Sequence, residues 1–312
     1  MSAALHSGSG RAHRIVHDVR VLRALDHVIL AVSDLPVATR TLARLLGRAP
    51  SWRGEHPVLG TENTLFRLSN TYVELLAPLG EGGVAGRLRA HLDAEGEGLV
   101  GLAFRTDDAG ACHRTLASRG FDPAPPEDGI GRDVESGAWR RWRSVHVPRE
   151  RTRGILLFAI EHESEDEALA PAQAVGDPRA SVLGLDHVVV VTSDVDASRA
   201  IYGDGLGLRL ALDRTFDERK LRLLFFRVGG VTVELAHPLE APVSPQDRFM
   251  GLSWQVPDLE AARERIVAAG FDVSPVRTGI KPGTRVASVR GRPLGVDTLL
   301  IEPAPPAATR LG

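Results

Sequence analysis

The strongest constraint on this chain is that it repeats itself. Leu25-Asp26-His27-Val28 returns as Leu185-Asp186-His187-Val188, and Ser33-Asp34 as Ser193-Asp194, in both cases 160 residues later. At the same offset Val73-Glu74-Leu75 with Pro78 returns as Val233-Glu234-Leu235 with Pro238. A third block, Gly101-Leu102 through Gly120-Phe121-Asp122, matches Gly251-Leu252 through Gly270-Phe271-Asp272 at an offset of 150. Three blocks in one order imply a duplicated unit, and 312 residues suffice for two ordinary domains. The stretch from Glu163 to Ala180 is acidic, then rich in Ala, Pro and Gly, and reads as a linker. The expected division is an arm over 1–23, a first domain over 24–162, a linker over 163–183 and a second domain over 184–304.

Each half divides again. Asp26–Val32 is short, apolar and β-branched, which predicts a buried strand. Asp34 then caps a helix over Val37–Leu46 that Gly47 stops. Strands are predicted at Asn63–Leu68, Thr71–Leu76, Leu99–Arg105, Trp139–Val147 and Gly154–Glu161, with a helix from Asp107 or Asp108 to Gly120. The second half repeats the order, with strands at Leu185–Val191, Leu221–Val228, Val231–Leu235, Gly251–Val256, Arg285–Val289 and Thr298–Ile301. Its helices fall at Asp196–Tyr202 and Leu259–Ala269. Four units of strand, helix and several strands make an α+β pattern rather than a parallel alternation.

The charge balance, 38 basic against 40 acidic residues for a net −2, shows no basic excess of the kind a nucleic-acid or anionic-membrane binder carries. The single cysteine, Cys112, permits no intrachain disulfide or cysteine zinc cluster and suits a reducing compartment. No run reaches the roughly 20 apolar residues of a membrane span, and the first twenty residues lack a signal-peptide core. Cytoplasmic residence, a small-molecule partner and a monomer or homodimer are the expectations.

His27 and Glu74 stand 47 residues apart, as do His187 and Glu234. Strand side chains alternate faces, so each Glu projects opposite to its Val and Leu neighbours. A carboxylate in an apolar wall is costly unless paired, hydrogen-bonded or bound to a metal. Two readings stay open: imidazole and carboxylate bind a divalent ion inside a concave sheet, or Glu meets a polar cleft or an Arg and His is a satisfied core residue.

The phrases LDHVILAVSDL with TYVELLAP, and LDHVVVVTSDV with VTVELAHP, resemble the first and fourth strands of modules of the vicinal oxygen chelate superfamily. That superfamily includes glyoxalases, methylmalonyl-CoA epimerases, extradiol dioxygenases and bleomycin-resistance proteins. The first half, with HPVLGTENTL and GLVGLAFRTDD, is similar to the glyoxalase-like domain of bacterial proteins. The resemblance covers about Ala24–His162 and Gly184–Pro303. It implies four βαβββ modules in tandem, forming cupped mixed sheets with helices outside and a metal held by up to four inner-face residues.

Carried over, the metal ligands are His27, Glu74, His187 and Glu234, and the ion is Zn, Ni, Mn or Fe. The further ligand positions of the motif fall on Gly101 and Gly251, and on Phe158 and Leu300. Glu161 and Glu302 match non-ligand positions. Each half then offers two ligands where a catalytic ion generally needs three, which counts against an extradiol dioxygenase. Pairing of the first and third modules across the halves is the alternative that would unite all four.

The resemblance implies a glyoxalase-like enzyme, an isomerase, epimerase or lyase acting next to a carbonyl. Glu74 or Glu234 would be its base, with any metal a Lewis acid. The alternative is a binding protein that sequesters a drug or metabolite; a third is one catalytic half beside a half that only closes the cup.

Softer candidates for substrate contact are His56 and Asn63, the aromatic–basic cluster around Trp139, Trp142 and Arg143, and Lys281 with Arg285 near Arg290. Turn chemistry and solvated strand faces are the competing readings. The Lys281 segment lacks the Gly-Lys-Ser/Thr ending of a P-loop, and no nucleotide cofactor is expected.

Overall fold

A computed structural model describes residues 21–304 apart from 241 and 243. Most of the arm expected over 1–23 therefore lies outside the described residues. The first half runs β1 (Ala24–Ala31), α1 (Leu35–Leu46), β2 (Trp52–His56), β3 (Thr61–Arg67), β4 (Tyr72–Pro78) and α2 (Gly83–Glu95). It continues with β5 (Gly98–Arg105), α3 (Ala109–Ser118), β6 (Glu127–Asp133), β7 (Trp139–Val147) and β8 (Leu156–His162). The second half runs β9 (Gly184–Val191), α4 (Val195–Ala200), β10 (Arg209–Phe216), β11 (Leu221–Val228) and β12 (Val231–Pro238). It ends with β13 (Arg248–Gln255), α5 (Leu259–Ala268), β14 (Arg277–Thr278), β15 (Arg285–Val289) and β16 (Asp297–Glu302).

The fold is α+β, with tandem βαβββ modules as expected. The first half closes into a barrel in the order β1-β4-β3-β2-β6-β7-β8-β5, and the second forms an eight-stranded sheet in the order β10-β11-β12-β9-β13-β16-β15-β14. Modules pair within a half: β1 with β5, and β9 with β13. Pairing of the first and third modules is therefore excluded, and the four proposed ligands lie in two separate sheets. The local reason is register. His27 sits opposite Ala103 and His187 opposite Ser253, each in its own half.

Helix starts repeat as faithfully as strands. Asp34, Asp108, Asp194 and Asp258 each accept a hydrogen bond from the backbone N–H three residues on, satisfying a donor the helix itself leaves free. Gly47 ends α1 in the left-handed conformation at φ 66°. The α4 helix widens into a π-type turn over 201–205 before Gly207. Neither α2 nor strands β2, β6, β10 and β14 carries a period clear enough to predict; β14 is two residues long.

One apolar core runs through both halves, from Leu25, Leu42 and Phe104 to Leu185, Phe226 and Trp254. The segment read as a linker is packed: Leu169, Ala172, Ala180 and Val182 are buried, and the backbone N–H of Ala49 and Val175 bond across it to Gln173 and Gly47. Asn70 reaches over with both amide atoms to the backbone of Leu185, at 2.8 and 3.0 Å.

Arg265 of α5 donates to Ala180 O at 2.9 Å, Leu45 O at 2.8 Å and Arg44 O, so a cation closes the free carbonyls at the end of α1. Arg265→Ala strands those carbonyls in a semi-buried seam. A loss of roughly 2 kcal/mol is expected in urea unfolding; a change under about 0.5 kcal/mol, the range of ordinary surface substitutions, would show the seam to be held by apolar packing alone.

Candidate functional site

Period-two alternation builds the barrel interior. Along β7, Arg140, Trp142, Ser144 and His146 line the hollow, while Val145 and Val147 enter the core. Along β4 the liners are Tyr72, Glu74 and Leu76, with Val73 and Leu75 in the core. The hollow has a volume of about 730 Å³, the size of a small-molecule pocket. One side is roofed by α2, whose Val84, Arg87, Leu88 and His91 follow a single helical stripe. Two indoles fit because glycines make room. A Cβ on Gly54 would lie 2.1 Å from the Trp52 ring nitrogen, and one on Gly129 equally close to that of Trp142.

At the centre, the Asp26 carboxylate accepts from His27 Nδ1 at 2.7 Å and from His162 Nε2 at 2.9 Å. Burial alone would raise this carboxyl. The hydrogen bonds from His162 and His27 outweigh it and hold Asp26 well below the usual aspartate range. An ionised carboxylate only accepts, so His27 carries its proton on Nδ1 and turns Nε2 toward Glu74 Oε2, 3.5 Å away. The other Glu74 oxygen accepts from Asn63 Nδ2 at 2.7 Å. The same amide nitrogen lies 3.2 Å from His56 Nε2, whose Nδ1 meets Thr61 Oγ1 at 2.9 Å. Burial, the largest influence, keeps the His56 ring below the ordinary histidine range; Arg140 pushes the same way and Glu74 opposes. Tyr72 stacks on His27 with centroids 4.5 Å apart, and Phe158 meets it edge-on at 5.7 Å.

The second half copies the Asp-His-Glu contacts but changes their surroundings, with Gln255 on Asp186 in place of a second imidazole and Leu223 at the strand position of Asn63. His187 Nδ1 lies 2.8 Å from Asp186, and its Nε2 lies 3.5 Å from Glu234. Ser253 Oγ, however, hydrogen-bonds His187 Nε2 at 2.7 Å, where the barrel has Ala103. Burial raises the Glu234 carboxyl, the His187 charge pulling back. Around it Val189, Leu223, Ala236 and Phe225 make an apolar floor.

His27, His56, Asn63, Glu74 and Trp142 thus converge in one hollow. Arg143 projects from the other face of β7 and pairs with Asp128 at 3.5 Å, away from Trp142, because neighbours on a strand point apart. Trp139 is 48% exposed, with Arg132 over its ring. Arg285 pairs with Glu260 at 2.6 Å and Glu302 at 3.3 Å, and Lys281 lies in the turn where its carbonyl accepts from Thr284. Neither belongs to the barrel cavity. Asp26, Tyr72, Arg140, His146 and His162 were not predicted. Asp26 stands inside the repeated Leu-Asp-His-Val block, and Arg140 and His146 sit two and four residues from Trp142 on one strand face.

Among the described residues no group of three or more His, Cys, Asp and Glu side chains is arranged to hold an ion. The geometry gives the reason. A Cβ on Gly101 would lie 3.0 Å from Leu156, and one on Gly251 would lie 2.5 Å from the Asp297 carbonyl oxygen. Phe158 occupies the barrel's fourth position. In the second sheet the residue matching Ser253 in register is Leu299, not Leu300, which is buried in the core. The family's four-ligand set does not fit either half.

The model of the glyoxalase-like domain matches residues 25–205. The chain belongs to that family. Residues 186–287 match the model of the glyoxalase, bleomycin resistance protein and dioxygenase superfamily, so both halves are vicinal oxygen chelate units. An ethylmalonyl-CoA/methylmalonyl-CoA epimerase from Cereibacter sphaeroides is 35% identical over 97 residues, 28% of this chain and 72% of the relative. The uncharacterised YqjC of Bacillus subtilis is 35% identical over 66 residues; these are 21% of this chain and only 46% of that relative. A mutant 4-hydroxymandelate synthase from Streptomyces coelicolor shares the fold at TM-score 0.64 and 17% identity, covering 90% of this chain and 92% of that one.

The depressed Asp26 carboxyl makes stability depend on pH. A group whose folded pKa lies below its unfolded value of about 3.9 contributes fully above that value and loses its contribution as pH falls through the folded one. Asp26→Asn should cost roughly 3 kcal/mol at neutral pH and flatten the acid limb below pH about 4. Urea titrations at several pH values check this; parallel acid limbs would deny Asp26 the role.

Proposed function

We propose that the first-half barrel is the active site of a proton-transfer enzyme, an isomerase, epimerase or lyase acting on a C–H bond next to a carbonyl. The observation that carries this is the Glu74 carboxylate, 7% exposed in the wall of the cavity, with one oxygen fixed by Asn63 and the other facing His27. Glu74 takes the proton through Oε2. The free Nε2 lone pair of His27, oriented by Asp26, can receive that proton from Glu74 and then, as the imidazolium, give it to the enolate oxygen or return it to carbon. Return to the opposite face is epimerisation, return to the neighbouring atom is isomerisation, and expulsion of a leaving group is a lyase reaction. Superfamily members commonly hold a divalent ion. The barrel offers a Zn, Ni, Mn or Fe ion only His27 and Glu74 from the family set, and no step here runs through one.

The second half serves as scaffold. Ser253 occupies the lone pair of His187 that the barrel leaves free at His27, which favours one catalytic half over two. A ligand-sequestering pocket is the second reading, favoured by the aromatic wall of Trp52, Tyr72, Trp142 and Phe158.

Deuterium uptake from heavy water into α-oxo acids and malonyl-type thioesters, followed by mass spectrometry, tests the reading. Glu74→Gln should slow exchange by about 10²–10⁴-fold, while His187→Ala should stay within a few-fold of wild type. Ligands that bind tightly and return unexchanged would favour sequestration, and equal exchange by Glu74→Gln would remove Glu74 as the base.

A further inference from the structure

Arg140 is the buried charge that the proton-transfer chemistry does not use. It is 9% exposed, and its guanidinium lies across Trp52 and Tyr72, 5.7 Å from each ring centroid. It lines both the main cavity and a smaller one of about 210 Å³ adjoining it. Among the described residues it has no carboxylate partner. Of the acids on the same walls, Asp26 is held by His27 and His162, Glu74 by Asn63 and His27, Asp128 by Arg143 and Asp166 by Arg105, while Glu127 and Glu165 line the two cavities without forming an ion pair with Arg140. Two aromatic faces give a guanidinium on the order of 1–2 kcal/mol, but they leave its N–H donors, which face the two cavities, without an acceptor among the described residues. A wall that keeps such a cation is built for an anion that arrives from outside.

A second atom asks for a partner. Asn63 lines the same cavity at 3% exposure, and its Oδ1 has no hydrogen-bond donor. An orphaned buried acceptor costs about 1–3 kcal/mol, so the missing donor belongs to the ligand too. Arg87 on α2 and Arg149 after β7 also line the cavity without an acid partner among the described residues, and with Arg140 they outnumber the wall's free carboxylate, Glu127.

We propose that Arg140 is the anchor for a carboxylate, and that the barrel takes a small organic acid bearing a hydroxyl or enolisable carbonyl. The planar guanidinium fork matches a carboxylate with two parallel N–H bonds. Seated there, the acid presents its hydroxyl, or the enol formed from its carbonyl, to Asn63, and its acidic C–H to Glu74. This rests on the barrel being the reaction site, but its readout is binding rather than turnover.

The experiment compares acids with their methyl esters, using α-ketoisocaproate and lactate as probes, by quenching of tryptophan fluorescence and by thermal shift. Wild type is expected to bind at least one acid ten-fold or more tighter than its ester. Arg140→Gln should abolish that preference and Arg140→Lys retain part of it. Unliganded Arg140→Gln should melt no lower than wild type, since it sheds an uncompensated cation; a purely structural arginine would lower the melting temperature instead. Acids and esters binding alike in wild type, or a preference that survives Arg140→Gln, would overturn the proposal. So would inorganic phosphate outcompeting the acids. Glu74→Gln should keep the acid preference while losing exchange, so failure of the base and failure of the anchor read out separately.

Discussion

A carboxylate buried in a sheet wall stays ionised only if its neighbours donate enough to replace water, and in the barrel that condition falls on Asp26. Two imidazoles meet it, one from β1 and one from β8. Because β8 and β1 sit on opposite sides of β5, the Asp26 contacts span the sheet and fix where those strands stand. The same bonds choose the His27 tautomer, and the tautomer aims Nε2 at Glu74. Charge placement, strand placement and the reactive geometry are therefore one arrangement, which explains how a costly group can persist in the centre of a small barrel.

Duplication supplied the Asp-His-Glu contacts twice, but the copies differ around them: Gln255 stands on Asp186 where His162 stands on Asp26, and Leu223 takes the strand position of Asn63. Where Ala103 leaves the Nε2 of His27 facing only Glu74, the Ser253 hydroxyl satisfies that of His187. Both ring nitrogens of His187 are thereby engaged, Nδ1 by Asp186 and Nε2 by Ser253. In the second half the Asp186 carboxylate joins β9 to β13 through Gln255. Functional inference from a repeated motif thus needs the residue opposite the motif as well as the motif itself.

The duplicated frame was legible in the sequence because it rests on local rules: period-two strands, aspartate helix caps and a Glu between two apolar residues. Glu74, His27, His56, Asn63 and Trp142 were readable for that reason. Arg140 was not, because its meaning lies in the partner it lacks, and a missing partner has no pattern in a string. Arg285 and Arg143 looked equally available as cations, yet Glu260 and Glu302 hold one and the face of β7 turns the other away. The α2 roof escaped notice because it starts at two glycines with no side-chain cap, and only its cavity-facing stripe is selected. Leu299 and Leu300 differ by one step of strand register, the smallest error that moves a side chain to the opposite face.

Closure gives the first half its chamber. In the first half β2 and β6 meet, Gly54 opposite Asp133 and Glu55 opposite Arg132, and that short pairing turns a sheet into a vessel. In the second, the counterparts β10 and β14 remain edges, one of them only two residues long. The long edge β10 carries Arg209, Asp213 and Arg214, and Asp213 is clamped by Arg222, charges that discourage pairing with another strand. In the open sheet burial still raises the Glu234 carboxyl, but Ser253 takes up the His187 nitrogen that faces it. The barrel encloses Glu74 in a chamber and faces it with His27, so the few ladder bonds between β2 and β6 shape the proposed site as well as the fold.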